Sequence, residues 1–146
     1  MLTPYDFSFI TSLRLGGEII LVNDSLTSTE LKKLLGVVPS RMRSNNIPLS
    51  WLCDNIPQCE TVAKGAHMFM FLFIGTFLCP DLGSNVNLCY LGSLRKIKKI
   101  WYYDWGGMAY ATLMHFMTQL SRRSLSSLGR APFVWHVRFG IYFGYV

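Results

Sequence analysis

Met68-Phe69-Met70-Phe71-Leu72-Phe73-Ile74-Gly75-Thr76-Phe77-Leu78-Cys79 is the stretch on which the fold turns. It is nearly unbroken hydrophobe, bounded by Pro80-Asp81 on one side and by Lys64 and His67 on the other. A bilayer span needs about 20 such residues, and this run stops after 12. A helix apolar all round yet too short to span belongs at the centre of a packed core. The stretch therefore predicts a long central helix from about Glu60 to Leu78. Around it the sequence predicts a mainly α fold, a compact multi-helix domain with at most a short β hairpin or edge strand near residues 18–22.

The second organising element follows Tyr103-Asp104-Trp105-Gly106-Gly107. Apolar side chains recur at Trp105, Met108, Ala109, Leu113, Phe116, Met117 and Leu120, the i, i+3, i+4, i+7 spacing of one buried helical face. Asp104 is placed to cap that helix and to suit the positive end of its dipole. Gly106 and Gly107 are poor helix formers in a first turn, so another segment is expected to pack close to the backbone there. Arg122 and Arg123 stand at the negative end, where cations are favoured.

Shorter helices are expected elsewhere. Thr3 caps a first one, with Pro4 in its first position and Phe7, Ile10 and Leu13 on one face. Gly16-Gly17 ends it, and Ile19 to Val22 is β-prone. Thr27 and Glu30 form a capping box for a helix burying Leu31, Leu34 and Leu35, which Gly36 stops. After a polar loop from Ser40 to Pro48, Ser50 is expected to cap a short helix with Trp51, Leu52 and Ile56. Val86 to Leu91 reads as extended for a few residues. Ser93 is then expected to cap a helix with Leu94, Ile97, Ile100 and Trp101 inward and Arg95, Lys96, Lys98 and Lys99 outward. A Ser/Arg/Gly linker from Ser121 to Arg130 leads to an apolar segment, Phe133 to Val146. No repeat is evident.

At 146 residues the chain is one domain's worth. Half of it is hydrophobic, which excludes general disorder. The charge is uneven. Residues 1–88 hold six Lys/Arg against seven Asp/Glu, whereas residues 89–146 hold eight against one. The basic half makes a polyanion a legitimate partner. Cys53, Cys59, Cys79 and Cys89 have no C-x-x-C spacing and no His at finger spacing, so a structural zinc site is not expected. Met1-Leu2-Thr3-Pro4 lacks the features of a secretory signal. The expectation is four reduced, mostly buried thiols in an intracellular protein.

Catalytic patterns are missing from the sequence. His67, His115 and His136 fall in no H-E-x-x-H pattern and are expected to be surface or half-buried residues. No G-x-S-x-G elbow occurs, and no phosphate loop can be written over Gly16-Gly17 or Gly106-Gly107. The expectation is a protein that is not an enzyme and holds no cofactor or metal. The electrostatic feature that stands out is Arg95, Lys96, Lys98 and Lys99, followed by Trp101, Tyr102 and Tyr103. Bases can stack on such rings while the cations hold phosphates. The plainer alternative is a solvated helix face beside core aromatics. Arg95, Lys96, Lys98 and Lys99, with Arg122 and Arg123, are the candidate contacts to nucleic acid or a protein partner.

Taken in order, five stretches resemble the plant mobile domain, also labelled aminotransferase-like. They are Leu2-Thr3-Pro4-Tyr5-Asp6-Phe7 with Ile10-Thr11-Ser12-Leu13 and Gly16-Gly17-Glu18; Leu34-Leu35-Gly36-Val37 with Leu49-Ser50-Trp51-Leu52; Phe73 to Leu78 with Pro80-Asp81; Tyr90-Leu91-Gly92-Ser93-Leu94; and Tyr103 to Gly107 with Leu120-Ser121-Arg122-Arg123. The resemblance implies one mainly α-helical, transposon-derived domain over residues 1–146, expected to be truncated at both ends. It further implies a nuclear protein, partners including phosphatase-like ones, and roles in transposon silencing, genome maintenance and meristem development. The alternatives are an aminotransferase-like enzyme, as the label suggests, and a transposon relic without selected function. Pyridoxal phosphate chemistry needs a Schiff-base lysine and a phosphate cradle, and nothing marks Lys32, Lys33, Lys64, Lys96, Lys98 or Lys99 for that role.

Overall fold

The computed structural model describes residues 3–20, 28–40, 42, 45–80 and 84–122. Within them the chain is mainly helical, as the patterning predicts. Helix α1 runs Pro4–Thr11, α2 Ser28–Leu35, α3 Leu49–Asn55, α4 Val62–Phe73, α5 Leu91–Leu94 and α6 Trp105–Ser121. Two three-residue strands, β1 (Asn46–Pro48) and β2 (Asn85–Asn87), form an antiparallel pair.

The greasy stretch becomes the rod at the centre. Thr61 caps α4 by accepting the Lys64 N–H, and the helix continues from Phe73 into a π-helical turn over Ile74–Leu78. The Cys79 N–H donates five residues back to the Ile74 carbonyl at 2.7 Å. This wider turn presses the backbone onto its neighbours. A Cβ on Gly75 would lie 2.7 Å from side-chain atoms of both Leu49 and Val86. Met68, Phe71 and Ile74 are at most 1% exposed, and burial of each contributes roughly 1.5–3 kcal/mol. The rod is not covered on every side, however. Among the described residues, Phe69 and Phe77 are left exposed.

The ends of the helices follow their local chemistry. Thr3 and Asp6 form a reciprocal capping box on α1, with Pro4 in the first position. Leu31 and Leu35 of α2 are buried, and Gly36 takes the left-handed φ of +84° that stops it. Asp104 caps α6 through the Gly107 N–H. Gly106 sits where a Cβ would collide with the Arg14 carbonyl, the close backbone approach its position implies.

Several details depart from the expected ones. The sheet is built from Asn46–Pro48 and Asn85–Asn87, with Ile47 opposite Val86, rather than near residues 18–22. In the described part of that stretch, residues 18–20, Glu18 forms an isolated parallel bridge with Tyr103. The segment before Pro48 reads as a loop because Asn and Pro dominate it, yet Ile47 is fully buried and decides its pairing. Ser50 lies inside α3, whose N-cap is Pro48. Ser93 is also not a cap but a buried residue of α5. The helix expected after Ser93 is four α-helical residues, a break at Arg95-Lys96, then a 3-10 helix from Ile97 to Tyr102. Leu21 and Val22 of the β-prone run, the Thr27 capping residue, most of the linker after Ser121, the Phe133 to Val146 segment, His136 and Arg123 lie outside the described residues.

Among the described residues, no helix is long and apolar enough to cross a membrane. The four cysteines are free thiols: Cys53 is exposed, Cys59 half-buried, and Cys79 and Cys89 buried. His115 is exposed. His67, expected to be surface or half-buried, is a buried residue of α4, with Nδ1 at 2.7 Å from the Ala63 carbonyl one turn back on the same helix. That carbonyl can only accept, so Nδ1 carries a proton, and among the described residues Nε2 has no hydrogen-bond partner.

Candidate functional site

The basic-aromatic stretch has a different shape from the α-helix its sequence suggests. A 3-10 helix has three residues per turn, so i and i+3 eclipse. Ile97 and Ile100 therefore form its inward row, with Ile100 buried and Ile97 partly so. An α-helical count would place Trp101 on the same side as Ile97. The tighter winding turns it out instead. Trp101 is 82% exposed and Tyr102 63%. The ring that goes inward is Trp105, the first residue of α6, whose Nε1–H donates to the Ile100 carbonyl at 2.8 Å. Tyr103 packs edge-on against it, with ring centroids 6.2 Å apart.

The cations divide into two groups. Lys96, Lys98 and Lys99 are exposed on the same turn as the two outward rings, and they make no ion pair among the described residues. Arg95, just ahead of them, donates from Nη2 to Glu30 Oε1 of α2 at 2.5 Å. Arg122 is exposed at the far end of α6. A helix of 17 residues spans about 25 Å, so Arg122 does not join this cluster. The structure thus brings together Arg95, Lys96, Lys98 and Lys99 and leaves Arg122 apart.

Two features here are not singled out by the sequence. One is the outward setting of Trp101 and Tyr102. The other is a cleft of about 260 Å³ lined by Glu30, Lys33, Leu34 and Arg95. The polar face of α2 holds Glu30 and Lys33 three residues apart, which is the only trace of that cleft in the sequence.

Other concavities carry less chemistry. A cavity of about 120 Å³ between α1, α6 and the π turn is lined by Phe7, Leu13, Phe77, Leu78 and Leu113 among others, and by no ionisable side chain among the described residues. Near it, Cys79 Sγ lies 3.4 Å from Thr112 Oγ1. Burial pushes this thiol up to about 11, against hydrogen bonds from Thr112 and Tyr90 that pull it down. Tyr90 is also raised, first by burial and then by the two nearby thiols, Cys79 and Cys89. Both groups therefore stay protonated well into alkali. A third hollow, beside Gly36, contains Cys59, Glu60 and Lys64. There Lys64 Nζ lies 2.7 Å from Glu60 Oε2, a hydrogen bond that with the charge of Lys64 holds the Glu60 carboxyl below its ordinary value.

Residues 1–131 match the family model described as a domain of unknown function, DUF8566. No curated protein and no solved structure matches the chain.

Proposed function

The chain belongs to the DUF8566 family, and from that premise we propose that it is a non-enzymatic binding domain that engages single-stranded nucleic acid through the turn from Arg95 to Tyr102. The setting we propose is the nucleus, in transposon silencing and genome maintenance, as the resemblance to plant mobile domains implies.

One observation carries the reading: two large aromatic rings face solvent beside three cations with no acidic partner among the described residues. A solvated face beside core aromatics would need Trp101 and Tyr102 inward. Exposed rings lose the stabilisation of burial, but they offer flat faces on which bases of any sequence stack. Lys96, Lys98 and Lys99 supply the charge that tracks a phosphate backbone. Stacking favours a single strand, whose bases are free to splay.

Filter binding of a labelled oligothymidine at two salt concentrations tests this. Binding at low salt that weakens as salt rises is the expected result. No detectable binding at low salt, or an affinity indifferent to salt, removes the proposal.

A second reading, a nuclear protein partner, has its own observation. Tyr5 and Phe9, one helical turn apart on α1, are 83% and 82% exposed. Capture from plant nuclei with and without nuclease treatment separates the two, because a protein partner held by α1 survives the nuclease.

A further inference from the structure

Among the described residues, an ion pair between Arg95 and Glu30 fastens the basic turn to α2. Arg95 Nη2 meets Glu30 Oε1 at 2.5 Å across 65 residues of sequence. The two side chains are 46% and 39% exposed, so water reaches both, and such a pair adds little to stability. Its placement is more telling. The pair lies on the wall of the cleft of about 260 Å³ into which Lys33 also faces, with Leu34 as the apolar part of the lining. Cations from two separate elements thus converge on one open space, and among the described residues its carboxylate, Glu30, is engaged with one of them.

We propose that Lys33 and Arg95 form a phosphate-binding notch, and that Glu30 holds its place until a phosphate of the bound strand displaces it. This rests on the reading of the 95–102 turn as a nucleic-acid surface. The guanidinium fork fits a carboxylate and a phosphate with the same paired geometry. Glu30 therefore presents to Arg95 the kind of group that a phosphodiester would present. Lys33 adds a second, more compact charge from the next turn of α2. A strand lying across Lys96, Lys98 and Lys99 brings its neighbouring phosphates to the notch at high effective concentration. Free phosphate has only the notch itself, so it competes weakly.

The ligand chemistry, a phosphate oxyanion, has two sources that the test separates. A short fluorescein-labelled oligothymidine is titrated into the full chain as wild type, Glu30→Gln, Arg95→Ala and the double variant, each checked for native circular dichroism. Gln keeps the size of Glu30 and one acceptor oxygen while it removes the charge. The expected result is that Glu30→Gln binds about threefold to tenfold tighter, with a salt slope steeper by about 0.7, the increment for one further phosphate neutralised. In the double variant that gain disappears. Binding by Glu30→Gln alone also supports the notch, as one held shut in the wild type.

A Glu30→Gln chain no tighter than wild type overturns the notch while leaving the binding turn standing. So does a gain that survives Arg95→Ala, since it is then the general loss of a negative charge. Inorganic phosphate that displaces the oligonucleotide at concentrations comparable to the strand's own dissociation constant overturns the strand as occupant. Absence of binding by every form removes both the notch and the proposed function.

Discussion

Asp104 Oδ1 accepts the backbone N–H of Gly16 at 3.0 Å. The same oxygen accepts the Gly107 N–H at 2.8 Å, so one carboxylate both caps α6 and holds the segment that follows α1. Two further bonds close the junction: Glu18 N–H to the Tyr102 carbonyl at 2.7 Å and Asp104 N–H to the Glu18 carbonyl at 2.9 Å. The exposed rings of Trp101 and Tyr102 are thus presented from a rigid support. Asp104→Ala removes the acceptor for two backbone donors at once. It is expected to cost about 1–3 kcal/mol, read as a lower urea midpoint. An unchanged midpoint would mean water replaces the carboxylate at no cost.

Gly106 offers a test of sign. Ala in place of Gly in a helix ordinarily stabilises by about 1 kcal/mol. Here a Cβ would run into the Arg14 carbonyl, and backbone cannot step aside as a side chain does. Gly106→Ala is therefore expected to destabilise, by about 1–3 kcal/mol, with a lower melting temperature. A stabilised variant would show that the loop at Arg14 yields freely.

These two residues also show what the sequence makes legible and what it withholds. The cap at Asp104, the span of α6 and the close approach at Gly106 are all readable, because each depends on chemistry within a few residues. The identity of what approaches Gly106 is not readable, since it arrives from the distant Arg14. The same limit hides the pairing of Asn46–Pro48 with Asn85–Asn87, where the only signal is two apolar residues, Ile47 and Val86, that lie opposite each other in the strand pair. The candidate site is half visible. Its cations announce themselves by charge, but the outward turn of Trp101 depends on a change from α to 3-10 winding after Lys96. No apolar periodicity distinguishes these over six residues. Glu30 and Lys33 belong to the site only through tertiary contact.

Trp101 and Tyr102 should divide stability from binding. Each is mostly exposed, so Trp101→Ala and Tyr102→Ala are expected to shift stability by no more than about 0.5 kcal/mol. Stacking of one base on one ring accounts for about 1–3 kcal/mol, so each variant should weaken oligothymidine binding by about tenfold. Fluorescence anisotropy alongside urea unfolding measures both. A variant that loses stability instead of affinity would assign the ring to packing.

Lys98 and Lys99 should act through salt rather than through base identity. Replacing either with Gln leaves a long polar side chain and removes one cation. The slope of log affinity against log salt is then expected to fall by about 0.7 for each phosphate no longer neutralised, equally for oligothymidine and oligoadenosine. A weakening confined to one base would point to an edge contact, which a lysine on a solvent-facing turn is not positioned to supply here.

Cys79 makes stability fall in alkali, and the sign follows from which state holds the proton. The thiol is buried beside Thr112 and Tyr90, and its pKa rises from 9.0 to about 11. Above pH 9 the unfolded chain ionises at this residue while the folded chain keeps its proton, so the unfolded state binds fewer protons and gains ground as pH rises. The stabilisation is full below 9.0 and is lost through about 11. A shift of this size corresponds to a loss on the order of 2–3 kcal/mol. Tyr90, raised in the same direction by burial and by the neighbouring thiols, adds to the trend. Urea unfolding across that range should show a midpoint that drops in wild type and drops less in Cys79→Ala, whose buried site has no proton to lose. If the two chains decline in parallel, the alkaline loss resides in groups other than this thiol.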